Sequence, residues 1–361
     1  MKGEIFAMFA IGMEMRDEYM SFELAKGALT LARDVMLIKP GEDVIISGDS
    51  CTDRRVVEAT ANAVFAIGGH PVIIYYPTAP NACMQPYPPI AAAVEKADVW
   101  IEFTYSYIMH SDAFRASLGA GVRYICLTGM DVMMMVRTIS NIDYELVIKL
   151  GEMLQHHVQE ADEVIIRSAA GTDLKAYNRG RKVRLSGKKA TEKGYPIMLA
   201  GQISWCPIEE TIEGTLVFDG ALWPPLELGK LSGPVKMTLK DGRVSDIRGG
   251  HDAEIFKRWM EALDDPENMY RLAHYSLGFN PGVKAVTGRI VEDERVFGCV
   301  EIGIGSQGKS IMGKEWAAAG HTDGIILNPT IILDGKVFEE EGVYKYPDVR
   351  DVCKKLGISG Y

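Results

Sequence analysis

The sequence has no Cys-x-x-Cys pair, no low-complexity tract, no short-period repeat and no apolar run long enough to span a bilayer. Its six cysteines (Cys51, Cys83, Cys126, Cys206, Cys299 and Cys353) are scattered, which argues against a zinc knuckle or a disulfide framework and predicts reduced, buried thiols. Basic residues are in deficit: 39 Lys and Arg against 49 Asp and Glu give a formal net charge of −10 and a pI near 5.3. Such a surface repels a nucleic-acid backbone and an anionic membrane, so the expected partner is a small molecule or a peptide. The N-terminus carries a short apolar run interrupted by Glu14 and Arg16 and lacks a clear small-residue cleavage site. A cytoplasmic location is therefore expected. What is present is ordinary globular material: 361 residues, 47% hydrophobic and 24% charged, enough for two domains with cores of their own.

The first half alternates helix and strand. Helical periodicity from Tyr19 to Lys39 stops at Pro40-Gly41 and gives way to Asp43-Val-Ile-Ile-Ser-Gly48. Helices are then predicted over Asp53–Ile67, Pro89–Lys96, His110–Leu118 and Tyr144–Glu160, and strands over Pro71–Tyr76, Val99–Phe103, Val122–Cys126 and Glu163–Arg167. Continuous apolar runs joined by helices indicate parallel strands buried on both faces. Residues 1–165 are thus expected to form an α/β, doubly wound, Rossmann-like domain. After Ser168, Gly, Pro, Thr and Asp punctuate short alternating segments, and Val235–Lys240 runs into Asp241-Gly242, a hairpin signal. One amphipathic helix is predicted over Asp252–Leu263. Residues 166–361 are expected to be mainly antiparallel β with a helix or two, an α+β domain.

Three polar clusters in this second half can carry chemistry. His274 precedes the turn Gly278-Phe-Asn-Pro281; Glu301 stands among apolar residues after the acidic run Glu292-Asp-Glu294; and His321 and Asp323 lie two apart, just ahead of two β-branched runs. In an extended chain residues i and i+2 face the same side, so the last pair offers an imidazole and a carboxylate to one point in space.

The order Glu213-Gly-Thr-Leu, Gly249-Gly250 before a helix, Asp264-Asp-Pro, His274, Gly278-x-Asn-Pro281, Glu292-Asp-Glu294, Gly303-x-Gly305 and Gly320-His-Thr-Asp323 resembles the aminopeptidase T superfamily. The likeness covers the second half closely and the first half loosely. That superfamily holds two-metal aminopeptidases and 2,5-dihydroxypyridine 5,6-dioxygenases. The peptidases carry a glutamate in a segment matching Gly201-Gln-Ile-Ser-Trp-Cys-Pro207, where this chain has Gln202. A neutral amide neither compensates nor bridges a second dication. The resemblance therefore implies the dioxygenase branch, with His274, His321 and Asp323 as ligands of one Fe(II).

Two imidazoles and one carboxylate leave positions open on iron for substrate and O₂. The resemblance further implies His110 as the group taking a substrate hydroxyl proton. Other expectations are a heteroaromatic ring stacked by Trp205 or Tyr105, hydrogen bonds from Ser306 or Gln202, Glu301 orienting a ligand histidine, and a homo-oligomer. The competing expectation is an aminopeptidase that recruits Glu292, Glu294 or Glu301 to two Zn, Co or Mn ions.

Overall fold

A computed structural model describes residues 20–308 and 313–361. The N-terminal apolar run lies outside the described residues. Among the described residues no helix is long and apolar enough to cross a membrane. The described chain divides into two compact units. One holds the residues up to Ile142 together with Lys188–Leu199; the other holds Asp143–Gly187 and the residues from Ala200 on.

The first unit is built on a five-stranded parallel sheet in the order His70–Tyr76, Asp43–Asp49, Val99–Glu102, Arg123–Cys126, Pro196–Met198. The two central strands Val99–Glu102 and Arg123–Cys126 are buried at every position, as the unbroken apolar runs predict. His70–Tyr76 is different: it is an edge strand and leaves Val72 and Ile73 exposed. Helices Arg54–Ala66, Pro88–Lys96 and Asp112–Gly119 connect the strands. Asp53 and Ser111 cap two of them, accepting hydrogen bonds from the Arg55 and Phe114 amides.

Helix Tyr144–Glu160 and strand Glu163–Arg167 form where periodicity predicts them, but both belong to the second unit. Glu163–Arg167 pairs antiparallel with Asp173–Tyr177 and Thr330–Leu333, and the fifth parallel strand is supplied by Pro196–Met198 instead. An apolar run of five specifies a buried strand without specifying its partner.

The second unit contains an eight-stranded and a six-stranded sheet, both antiparallel. Three hairpins of the larger sheet turn through Asp241-Gly242, Asp334-Gly335 and Glu341-Gly342, with φ of 49° and 70°, 48° and 76°, and 50° and 76°. Two successive left-handed residues are what a type I′ turn needs to match strand twist. Helix Tyr144–Glu160 packs close to the smaller sheet because Gly151 has no side chain; a Cβ there would meet Leu185 at 2.7 Å and Phe279 at 2.9 Å. Of the six thiols, four are buried as expected, whereas Cys51 and Cys83 are exposed in loops after strands of the first unit.

Gly324 sits in the long strand Trp316–Ile326, and a Cβ there would fall 2.3–2.4 Å from the ring of Phe218, a fully buried residue of the larger sheet. Gly324→Ala should therefore destabilise the second unit by roughly 1–3 kcal/mol through overpacking. Urea unfolding checks this, and the loss should shrink in a Phe218→Leu background.

Candidate metal centre

Strand Cys299–Gln307 lies between Leu272–Gly278 and Trp316–Ile326 in the six-stranded sheet. Its residue Gly303 is paired with His274 on one side and Asp323 on the other, and Gly305 is paired with His321. Two residues before Gly303, Glu301 is paired with Ser276, and on the next strand Gln202 is paired with Gly278. Because strand side chains alternate, His274, Glu301, His321, Asp323 and Gln202 all project from one face. Glycine at 303 leaves room for them: a Cβ would lie 2.3 Å from Cε1 and 2.5 Å from Nδ1 of His274. The imidazole rests on bare backbone.

The donor atoms converge. His321 Nε2 lies 2.9 Å from Asp323 Oδ1, and His274 Nε2 lies 3.6 Å from the same oxygen. The two imidazoles are stacked 14° from parallel with centroids 5.3 Å apart. One nitrogen or oxygen from each of the three residues lies within 4.8 Å of the other two, close enough for a single cation to reach all of them. Side-chain exposures of 12% for His274, 33% for His321 and 16% for Asp323 leave the group largely shielded.

A further layer fixes these groups. The Ser306 carbonyl is 2.8 Å from His321 Nδ1; a carbonyl only accepts, so Nδ1 carries a proton, and Nε2 points at the Asp323 carboxylate. Glu301, fully buried, lies 3.0 Å from His274 Nε2. The Gln202 amide donates to Glu294 at 3.1 Å and to Glu301 at 3.3 Å, and Arg295, itself 1% exposed, reaches Glu294 at 3.1 Å.

Burial drives the electrostatics. It raises Glu301 well above the carboxylate range, with the Asp323 charge adding to the rise. Glu294 is pushed up to about 7 by burial and by the charges of Asp323 and Glu301, against the pull of Arg295. Burial acts upward on Asp323 too, but the charges of His321 and His274 and the hydrogen bond from His321 outweigh it and hold Asp323 at about 2. Desolvation lowers His274. On His321 it is overcome by the charge and hydrogen bond of Asp323, which raise the imidazole. Two nitrogens and a carboxylate in a shielded recess suit a divalent transition metal.

Residues 27–345 match the family of 2,5-dihydroxypyridine 5,6-dioxygenases, NicX. The chain belongs to this family. A 2,5-dihydroxypyridine 5,6-dioxygenase of Pseudomonas putida is 26% identical over 191 residues, which are 52% of this chain and 52% of that protein. The match therefore spans about half the length of that curated relative. The structure of 2,5-dihydroxypyridine dioxygenase from Pseudomonas putida KT2440 superimposes with a TM-score of 0.75 at 19% identity, over 93% of this chain and 99% of that one. AmpT from Thermus thermophilus superimposes with a TM-score of 0.67 at 14% identity, over 91% and 100%. At these identities the structural likeness is one of fold; the family match bears out the resemblance to the dioxygenase branch read from the motif order.

Set against this dioxygenase-family fold, the residues singled out in the sequence fall into three groups. His274, His321, Asp323, Glu301 and Gln202 come together on one sheet face of the second unit. Trp205 shares the Gln202 strand, but its alternate position turns it inward: it is 1% exposed, donates to Asn178 at 3.0 Å and meets Tyr275 edge-on. It packs as a core residue. The Ser306 hydroxyl is engaged with the Ala318 backbone at 2.8–3.1 Å. Tyr105, 51% exposed, and His110 lie in the first unit on the loop that follows strand Val99–Glu102.

Sequence reasoning missed Gly303 as the seat of His274 and Arg295 as the counter-charge of Glu294. Both follow from register and burial, which no local pattern announces. Gly303→Ala drives a methyl group into the His274 ring. Its affinity for divalent metal should fall by roughly 10- to 100-fold, the range seen when a ligand's support is disturbed, with the far-UV circular dichroism unchanged; metal titration of the purified variant measures it.

Proposed function

We propose that the chain is a mononuclear non-haem Fe(II) dioxygenase that opens the ring of a hydroxylated N-heteroaromatic compound of the 2,5-dihydroxypyridine type. The observation that carries this reading is the convergence of His274, His321 and Asp323 on a single point in a chain of the dioxygenase family. Two neutral imidazoles and one carboxylate are the donor set of non-haem iron oxygenases and leave positions for substrate and O₂. Iron held there would supply the redox chemistry that joins O₂ to an electron-rich ring.

The chain's own residues have defined tasks in this reading. Ser306 holds the His321 ring through its carbonyl, and Glu301 stands beside Nε2 of His274, the nitrogen that faces Asp323. Gln202 ties Glu301 to Glu294 and keeps two buried carboxylates apart without a second cation. His110 takes the proton of the substrate hydroxyl, and Tyr105 offers an exposed ring for stacking. A cytoplasmic location and a homo-oligomeric state belong to the same proposal.

A two-metal aminopeptidase is the second reading, and one observation favours it: the buried carboxylates Glu294 and Glu301 both stand close enough to Asp323 to be raised by its charge. Against it, the Gln202 amide already donates to both.

Protein purified without oxygen should contain about one iron per chain and consume O₂ with 2,5-dihydroxypyridine. Two Zn, Co or Mn ions per chain with release of amine from an aminoacyl anilide would overturn this in favour of the peptidase. His321→Ala should lose bound iron and more than about 100-fold in kcat, beyond the range of supporting residues. His110→Gln should retain its iron and lose about 100- to 10,000-fold in kcat, as removal of a general base does.

A further inference from the structure

In the first unit, the order of the parallel sheet reverses between strands Asp43–Asp49 and Val99–Glu102. The loop from Phe103 to Ser111 leaves from the carboxyl end of the latter, the position where open α/β sheets place functional groups. This loop is held by two acids from those strands. Asp49 accepts from the Ser106 amide at 3.0 Å. Glu102, 0% exposed, accepts from the Ile108 amide and the Thr104 hydroxyl, each at 2.6 Å, and its other oxygen accepts from the Tyr124 hydroxyl.

The bond to Ile108 reaches further along the chain. Ile108 closes a turn onto Ser111, whose amide donates to the Ile108 carbonyl at 3.0 Å. Inside that turn His110 has φ of 74°, a left-handed conformation that is uncommon for a residue with a side chain. On the far side Arg115 donates to the His110 carbonyl and to the Asp112 carboxylate, each at 2.5 Å. The imidazole meets Phe114 edge-on with centroids 5.9 Å apart. The backbone of His110 is thus clamped between a buried acid upstream and an exposed guanidinium downstream.

A fully buried carboxyl is costly where only packing is needed. Burial pushes Glu102 up to about 7, with Asp49 adding to the rise and the bonds from Thr104, Tyr124 and Ile108 opposing it. Tyr76, Cys83 and Cys126 also feel its charge.

We propose that Glu102 is a positioning residue which, by anchoring Ile108, sets the left-handed backbone of His110 and so the direction in which its imidazole is presented. The inference rests on the acid–base role assigned to His110 above. Glu102→Leu removes the acceptor, whereas Glu102→Gln keeps a carbonyl oxygen for Ile108. In the iron-loaded enzyme Glu102→Leu should lower kcat by as much as about 100-fold, the cost of a misplaced catalytic group, with KM and iron content unchanged, and Glu102→Gln should restore most of the rate. Histidine-ring NMR of the metal-free chain supplies the second readout. The His110 resonance, identified by its absence in His110→Gln, should move in Glu102→Leu and stay at the wild-type position in Glu102→Gln.

An unmoved His110 resonance in Glu102→Leu, or equal loss of rate in both variants, would overturn the proposal. Should Glu102→Leu fail to fold, Arg115→Ala at its exposed position releases the other end of the clamp; a shifted His110 resonance supports the proposal and an unshifted one sinks it. Absence of O₂ uptake with every hydroxylated pyridine would count against the dioxygenase reading alone, because the NMR comparison needs no turnover.

Discussion

The candidate centre depends on one constraint, the pairing register of three neighbouring strands across Gly303. With His274 opposite on one side and Asp323 on the other, two groups 49 residues apart in sequence are brought onto one sheet face, and His321 joins them through the pair at Gly305. A shift of one residue in either ladder would send the ligands of that strand to the opposite face. The ring of Phe218, from the neighbouring sheet, closes on Gly324 in the same strand that carries His321 and Asp323. Core packing and ligand geometry are therefore two faces of a single strand.

That arrangement concentrates charge. Three carboxylates and two imidazoles share a shielded recess, and the chain relieves the repulsion in two ways. Asp323 keeps its charge because the imidazoles face it, whereas Glu294 and Glu301 are driven toward the neutral form by burial and by the charge of Asp323. Gln202 is the joint between the two acids. A carboxylate at that position would add a further negative charge to the recess, and a neutral amide fills the place with donors.

Much of this was legible in the sequence because it is written locally. The i, i+2 spacing of His321 and Asp323, the Asp-Gly turns and the apolar runs of the parallel strands each depend on a few adjacent residues. Helix Tyr144–Glu160 and strand Glu163–Arg167 were equally legible as elements and were assigned to the wrong neighbours, since periodicity reports burial and is silent on partners. Glu163–Arg167 owes its place to pairing with Thr330–Leu333, far along the chain. The same limit hid the role of Gly303, whose missing side chain has meaning only once His274 lies over it, and it made Trp205 look available when its strand turns it into the core.

The passage of the chain between its two units has a consequence for how the protein is made and divided. The first unit is interrupted after Ile142 and resumes at Lys188–Leu199 to add its last strand. A ribosome has therefore released helix Tyr144–Glu160 and the strands after it before the parallel sheet can be finished. Neither unit corresponds to one uninterrupted stretch of gene, so no single cut separates them, and recombination that exchanges one for a homologous piece has to carry a short strand from inside the other.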